Sequence, residues 1–321
     1  MTRPTAGGVP ASGTYTRARM SSSRDDQGKG LALVVLSTLA YGAMPILGKL
    51  AYASGVRPAP LLAWRFGIAT TLFALLSLRR RRSLSLRQHA VLHGLGLVFV
   101  VNAIAYFEGL HRLPASTAAL LVYSYPVIVT LLSGVFGLDR LTLRGLIASV
   151  LAFAGCALTA GGVSGRGSGV WLVLLSAFIY STYMLLGSRF AAGIHAEAMA
   201  SHTVQAAAAV CIPWAALRGD LLLPAVPAAW AAVFAIAAIS TVVALRALLA
   251  GMALVGPARA AVVSSLEVVV TLGLAAVLLG EHIGPRQLAG ASLILGAVLF
   301  QSLGALRRLA WSPRAGGARR T

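Results

Sequence analysis

Long apolar blocks, separated by short polar or Gly/Pro turns, run through this chain from Gly30 to Leu306. A helix rises about 1.5 Å per residue and a bilayer's hydrocarbon is about 30 Å thick, so one crossing needs roughly 20 mostly apolar residues. Ten blocks meet that requirement: Gly30 to Tyr52, Pro60 to Leu78, His89 to Leu110, Ala115 to Gly137, Leu143 to Gly161, Val170 to Ala191, Ala198 to Leu217, Ala228 to Ala250, Pro257 to Gly280 and Arg286 to Leu306. The pattern predicts an all-α integral membrane protein of about ten transmembrane helices.

Composition agrees, since 58% of the 321 residues are hydrophobic, 11% are charged and the mean hydropathy is +0.83, which leaves too little polar surface for a soluble domain. The formal charge of +19 would suit a nucleic-acid partner, but the cations sit between apolar blocks and not on one face, so none is expected. Cys156 and Cys211 each lie inside an apolar block without a His or Cys at metal-ligand spacing, and both read as small buried hydrophobes. Residues 1–29 and 307–321 are polar and read as cytoplasmic tails, the first disordered and the second basic.

Cationic loops resist translocation, so Lys and Arg orient the blocks. With the first tail inside, 19 of the 27 cations fall on the cytoplasmic side, five on the other (Arg57, Arg112, Arg166, Arg218 and Arg286), and Lys49, Arg65 and Arg246 lie within blocks. Both termini are therefore expected in the cytoplasm, with the chain in the cell membrane.

The chain also carries a weak internal repeat. A shift of 139 residues lays the segment from Gly30 over that from Gly169 with eight matches, among them Ser37 with Ser176, Tyr41 with Tyr180 and Gly48 with Gly187. A shift of 142 lays Thr117 onward over Arg259 onward and pairs Gly109 with Gly251. Two halves, 30–162 and 169–306, follow. Five spans per half reverses the second half's direction of entry, so the repeats are inverted, an architecture that places substrate sites near the midplane.

At this point the sequence resembles the EamA family of the drug/metabolite transporter superfamily. The resemblance rests on SSLEVVVTLGLAAVLLGEHIGPRQLAGASLILGAVLF late in the chain, on HRLPASTAALLVYSYPVIVTLLSGVFGLDRLTLRGLIAS as its earlier counterpart, and on Trp64-Arg65-Phe66. It implies ten spans in two five-helix repeats and transport of a small solute. Val268 stands where the family's Glu-Pro step has proline, which Pro126 keeps, and Asp139 replaces the turn glutamate kept as Glu281. These departures bear on whether the two halves break their helices alike.

Charge within a span costs about 2.5–3.5 kcal/mol on insertion scales, so such residues face a cavity or a partner. Glu108 and Glu267 are candidates to take up a proton, to bind an amine, or to pair with Arg246; a helix-packing hydrogen bond is the bland reading. Lys49 can snorkel and Arg65 reads as structural. Tyr41, Tyr180, Asn102, Tyr106, Tyr123, Tyr125 and Tyr183 offer polar tips at membrane depth, suited to a cavity wall, although packing accounts for many such residues. Pro45, Pro126 and Pro213 can kink their helices. The histidines carry no metal signature, and no phosphate loop, zinc-protease or nucleophile-elbow motif is present. A secondary transporter exporting amino-acid-like or other small metabolites or drugs is expected, with the bilayer and a small solute as its partners and without a cofactor. An integral-membrane enzyme acting on lipid-linked substrates is the alternative, and a membrane interaction partner that has lost transport is a third.

Overall fold

Hydrocarbon offers a peptide group no partner, so a chain crossing a bilayer must close its hydrogen bonds within each segment, as a helix does. The computed structural model describes residues 24–77, 84–137, 142–160, 167–191, 193–221 and 223–311, and every regular element among them is helical. Residues 1–23 and 312–321 of the expected tails, positions 79–83 of the cationic loop, Asp139, Arg140 and Arg166 lie outside the described residues.

The elements are α1 (Arg24–Gly42), α2 (Met44–Ala53), α3 (Pro58–Ser77), α4 (Leu86–Arg112), α5 (Ala115–Val122), α6 (Tyr125–Val135), α7 (Leu143–Ala160), α8 (Gly167–Phe190), α9 (Ala196–Leu217), α10 (Pro227–Ala237), α11 (Ala244–Val255), α12 (Pro257–Ser264), α13 (Glu267–Leu279) and α14 (Pro285–Trp311). Residues 238–243 form a π-helical turn between α10 and α11. Eight helical stretches among the described residues are long and apolar enough to cross a membrane. Alanine-rich α9, with Glu197, His202 and Gln205, is not among them, and α14 supplies a shorter apolar helix over Pro285–Phe300. Leu39, Val101, Trp171 and Val277 turn large apolar side chains outward, the surface a lipid environment favours. α1 begins at Arg24 and α14 runs to Trp311, so both extend past their apolar blocks into polar sequence.

Helices pair along their lengths: α1 with α11, α4 with α8, α3 with α9 and α7 with α14. Lipid tails are as apolar as leucine, so close backbone approach through small residues holds such pairs together. A Cβ on Gly109 would stand 2.6 Å from Val173 Cγ2 and 3.0 Å from the Gly169 carbonyl oxygen; a Cβ on Gly251 would stand 2.6 Å from Val34 Cγ2 and 2.9 Å from the Gly30 carbonyl oxygen. The two sets are the residues that the shifts of 139 and 142 align, so the α4–α8 contact is repeated at α1–α11.

Two apolar blocks break at matching places, between α5 and α6 and between α12 and α13. Pro126 at the start of α6 removes a backbone donor, whereas α13 has Val268 there and breaks all the same. A serine hydroxyl that turns back on the chain is the shared device: Ser124 Oγ donates to the Leu121 carbonyl at 2.8 Å, and Ser265 Oγ to that of Val262 at 2.6 Å. Such a hydroxyl competes with the helix ladder for its carbonyl. Pro45 begins α2 after the interruption at Ala43, while Pro213 lies inside a continuous α9.

Candidate functional site

The break after α5 delivers Tyr125 as the first residue of α6, and the break after α12 delivers Glu267 as the first residue of α13, positions 142 apart. Tyr123 links the two breaks, its hydroxyl donating to the Ser264 carbonyl at 2.6 Å. Glu267 lies within electrostatic reach of Tyr41, Tyr106, Tyr123, Tyr125 and Tyr180. Rings continue across the bundle, from Tyr125 edge-on to Tyr180 at 5.0 Å, through stacked Tyr180 and Tyr183 at 6.0 Å, to Phe99 at 5.5 Å from Tyr183. Tyr41, Tyr125, Tyr180 and Glu267 are partly buried. Of the sequence candidates, the structure brings together Tyr41, Tyr106, Tyr180, Tyr183 and Glu267.

Arg65, on α3, is the basic counterpart. It is 5% exposed, its Nε donates to Thr241 Oγ1 at 3.0 Å, and its guanidinium lies over Phe66 and Phe107 at 5.0 and 5.1 Å from the ring centres. Thr241 reaches it from the π-helical turn, where the threonine hydroxyl also donates to the Ile236 carbonyl at 2.9 Å. Widened turns of this kind recur at functional sites. Tyr41 and Tyr106 are each within electrostatic reach of both Arg65 and Glu267.

Three candidates lie elsewhere. Asn102 is buried between α4 and α8, its Oδ1 accepting from Ser176 Oγ at 2.7 Å. Glu108 meets Arg112 one turn on at 3.4 Å, on a part-exposed helix face. Arg246 of α11 approaches Glu197 of α9 to 3.3 Å, without the alignment of a hydrogen bond at that nitrogen. Tyr123 and Tyr125 join the cluster as well, and the signal in the sequence that singles out Tyr125 is its repeat alignment with Glu267.

A separate groove of 510 Å³ opens between α6, α7 and α8, lined by Leu131, Phe153, Cys156, Leu174 and Phe178 with almost no polar surface. It does not coincide with the tyrosine cluster, and its chemistry is that of lipid contact. Both cysteines are buried.

Long apolar helices with apolar outward faces, around an interior of tyrosines with one acid and one base, define a multi-pass membrane protein. The EamA-like transporter family model matches residues 28–161 and again residues 167–303, and the chain belongs to that family. It is 24% identical over 299 residues to the uncharacterized transporter YcbK of Bacillus subtilis (strain 168), covering 88% of this chain and 95% of that protein. Over 90 residues it is 37% identical to an uncharacterized transporter of Archaeoglobus fulgidus, covering 28% of this chain and 32% of the relative. A crystal structure shares the fold with a TM-score of 0.63 at 22% identity, over 88% of this chain and 99% of that one. Family and relatives carry the names of transporters, not of enzymes.

Proposed function

We propose that this chain is a secondary transporter that exports small metabolites, amino-acid-like solutes or drugs, by alternating exposure of a central cavity walled by Tyr41, Tyr106, Tyr125, Tyr180 and Tyr183. In this reading it has ten spans in two inverted five-helix repeats, with both termini on the cytoplasmic side of the cell membrane. The matching glycine contacts of α4–α8 and α1–α11 and the matching helix breaks support the repeat. The observation that carries the function is the placement of Glu267 and Arg65, an acid and a base with Tyr41 and Tyr106 in reach of both. Among the described residues neither side chain has an ion-pair partner. Ionisable groups kept at membrane depth at that cost mark a solute path.

The test is transport by purified protein in proteoliposomes loaded with a broad metabolite panel. Movement of an amino-acid-like solute down an imposed ion gradient supports the proposal. A panel in which nothing moves under any gradient overturns it.

A further inference from the structure

Two histidines of α4 and one of α9 meet where α4 begins beside the first turns of α9. His89 and His93 lie one turn apart on α4, hence on the same face. No side chain would fit at Gly96 against Ala206 and the Thr203 backbone, so the two helices touch beside the cluster. His202 of α9 is thereby set against both, its ring centre 5.0 Å from that of His89 and 5.4 Å from that of His93.

The donor geometry is specific. His202 Nδ1 lies 2.8 Å from the Ala198 carbonyl oxygen, and His93 Nδ1 lies 2.8 Å from that of His89. A carbonyl can only accept, so both Nδ1 atoms carry the proton, which leaves a lone pair on each Nε2. Metal-binding imidazoles are oriented by such an outer hydrogen bond, the role the Ala198 carbonyl plays for His202. His202 Nε2 therefore accepts a hydrogen bond from His89 Nδ1 at 3.1 Å, and a bound metal ion would take the place of that shared proton. Two nitrogens at about 2.0–2.1 Å from one tetrahedral ion stand roughly 3.4 Å apart, so this pair is close to the required bite. No three His, Cys, Asp or Glu donors among the described residues yet close on one point. His93 is exposed, and it would complete the site by giving up its bond to the His89 carbonyl and turning its ring toward the other two.

We propose that His89, His93 and His202 bind a divalent transition-metal ion of the imidazole-preferring class, such as Zn²⁺, and that the ion ties α4 to α9. The site stands on its own geometry. Only its consequence for transport, restraint of the α4–α9 contact during alternating exposure, rests on the proposed function.

The test uses full-length protein in detergent, with any affinity tag removed and metal stripped by chelator, titrated with Zn²⁺ in a calorimeter. One saturable site is expected, weakened roughly tenfold or more by His89→Asn and by His202→Asn and unchanged by His282→Asn, which alters a histidine remote from the cluster. Absence of saturable binding, or wild-type affinity in His202→Asn, overturns the proposal. Should a variant not fold, Cu²⁺-loaded wild-type protein read by electron paramagnetic resonance settles the matter: three coupled imidazole nitrogens sustain the site, and two or fewer overturn it. None of these readouts requires transport, so a failed transport assay leaves the metal site untouched.

Discussion

Ser37 and Ser176 occupy the same place in the two repeats and meet different neighbours. Ser176 donates to Asn102, whereas the residue aligned with Asn102 in the second repeat is Ala244, and the buried Ser37 hydroxyl has no partner among the described residues. An orphaned buried polar group costs about 1–3 kcal/mol. Ser37→Ala should therefore be neutral or stabilising, while Ser176→Ala strands Asn102 and should cost about 1–3 kcal/mol, read from thermal unfolding in detergent. Equal losses from both would sink the argument. Glu267 is the residue on which transport should depend most. A hydrogen bond to a charged group contributes about 1.5–3 kcal/mol, so Glu267→Gln should lower apparent substrate affinity roughly tenfold or more in proteoliposomes. Glu108→Gln, on its part-exposed face beside Arg112, should change it little.

Element pairs in this bundle are held by absence of side chain as much as by its presence. Gly109 and Gly251 face backbone and valine at distances no Cβ tolerates, whereas nothing lies within 4 Å of a Cβ at Gly94. Overpacking a tight contact costs about 1–3 kcal/mol. Gly109→Val and Gly251→Val should each lower the melting temperature of the detergent-solubilised protein, and Gly94→Val should not; a Gly94 loss as large as the others would refute the contact argument. The breaks at α5–α6 and α12–α13 carry a related lesson. Proline marks only one of them, and the serine bonded to its own preceding turn marks both.

Across the molecule, the turn after α13 reaches the start of α5. Glu281, beyond the left-handed Gly280, accepts from the Ala115 and Ser116 backbone N–H groups at 2.5 and 3.0 Å and from Ser116 Oγ at 2.5 Å. A carboxylate there satisfies orphan donors and complements the helix dipole. Glu281→Ala removes three hydrogen bonds between the repeats and should destabilise the protein by about 1–3 kcal/mol, with Glu281→Gln intermediate, by thermal unfolding. Arg57 and Asp220 form an ion pair between the α2–α3 and α9–α10 turns. Reporter fusions to each terminus check the proposed topology, with both expected on the cytoplasmic side.

The helical class, the membrane environment and the repeat were legible in the chain because each depends on local or periodic properties: run length against bilayer thickness, and residues recurring at a near-constant shift. Glu267, Tyr41 and Tyr180 could be nominated in the same way, since a polar group in an apolar run stands out by itself. Partnership between helices could not be read. Asn102 meets Ser176, Arg246 meets Glu197, and Arg65 meets Thr241 and Phe107 only through tertiary packing, whereas the Glu108–Arg112 pair, one turn apart on a single helix, follows from spacing alone. His89 and His202 are 113 positions apart, and only the close approach at Gly96 puts their rings in contact. Helix faces follow from sequence; which faces meet is a property of the whole bundle, because small residues permit many pairings and the sum of the packing selects one.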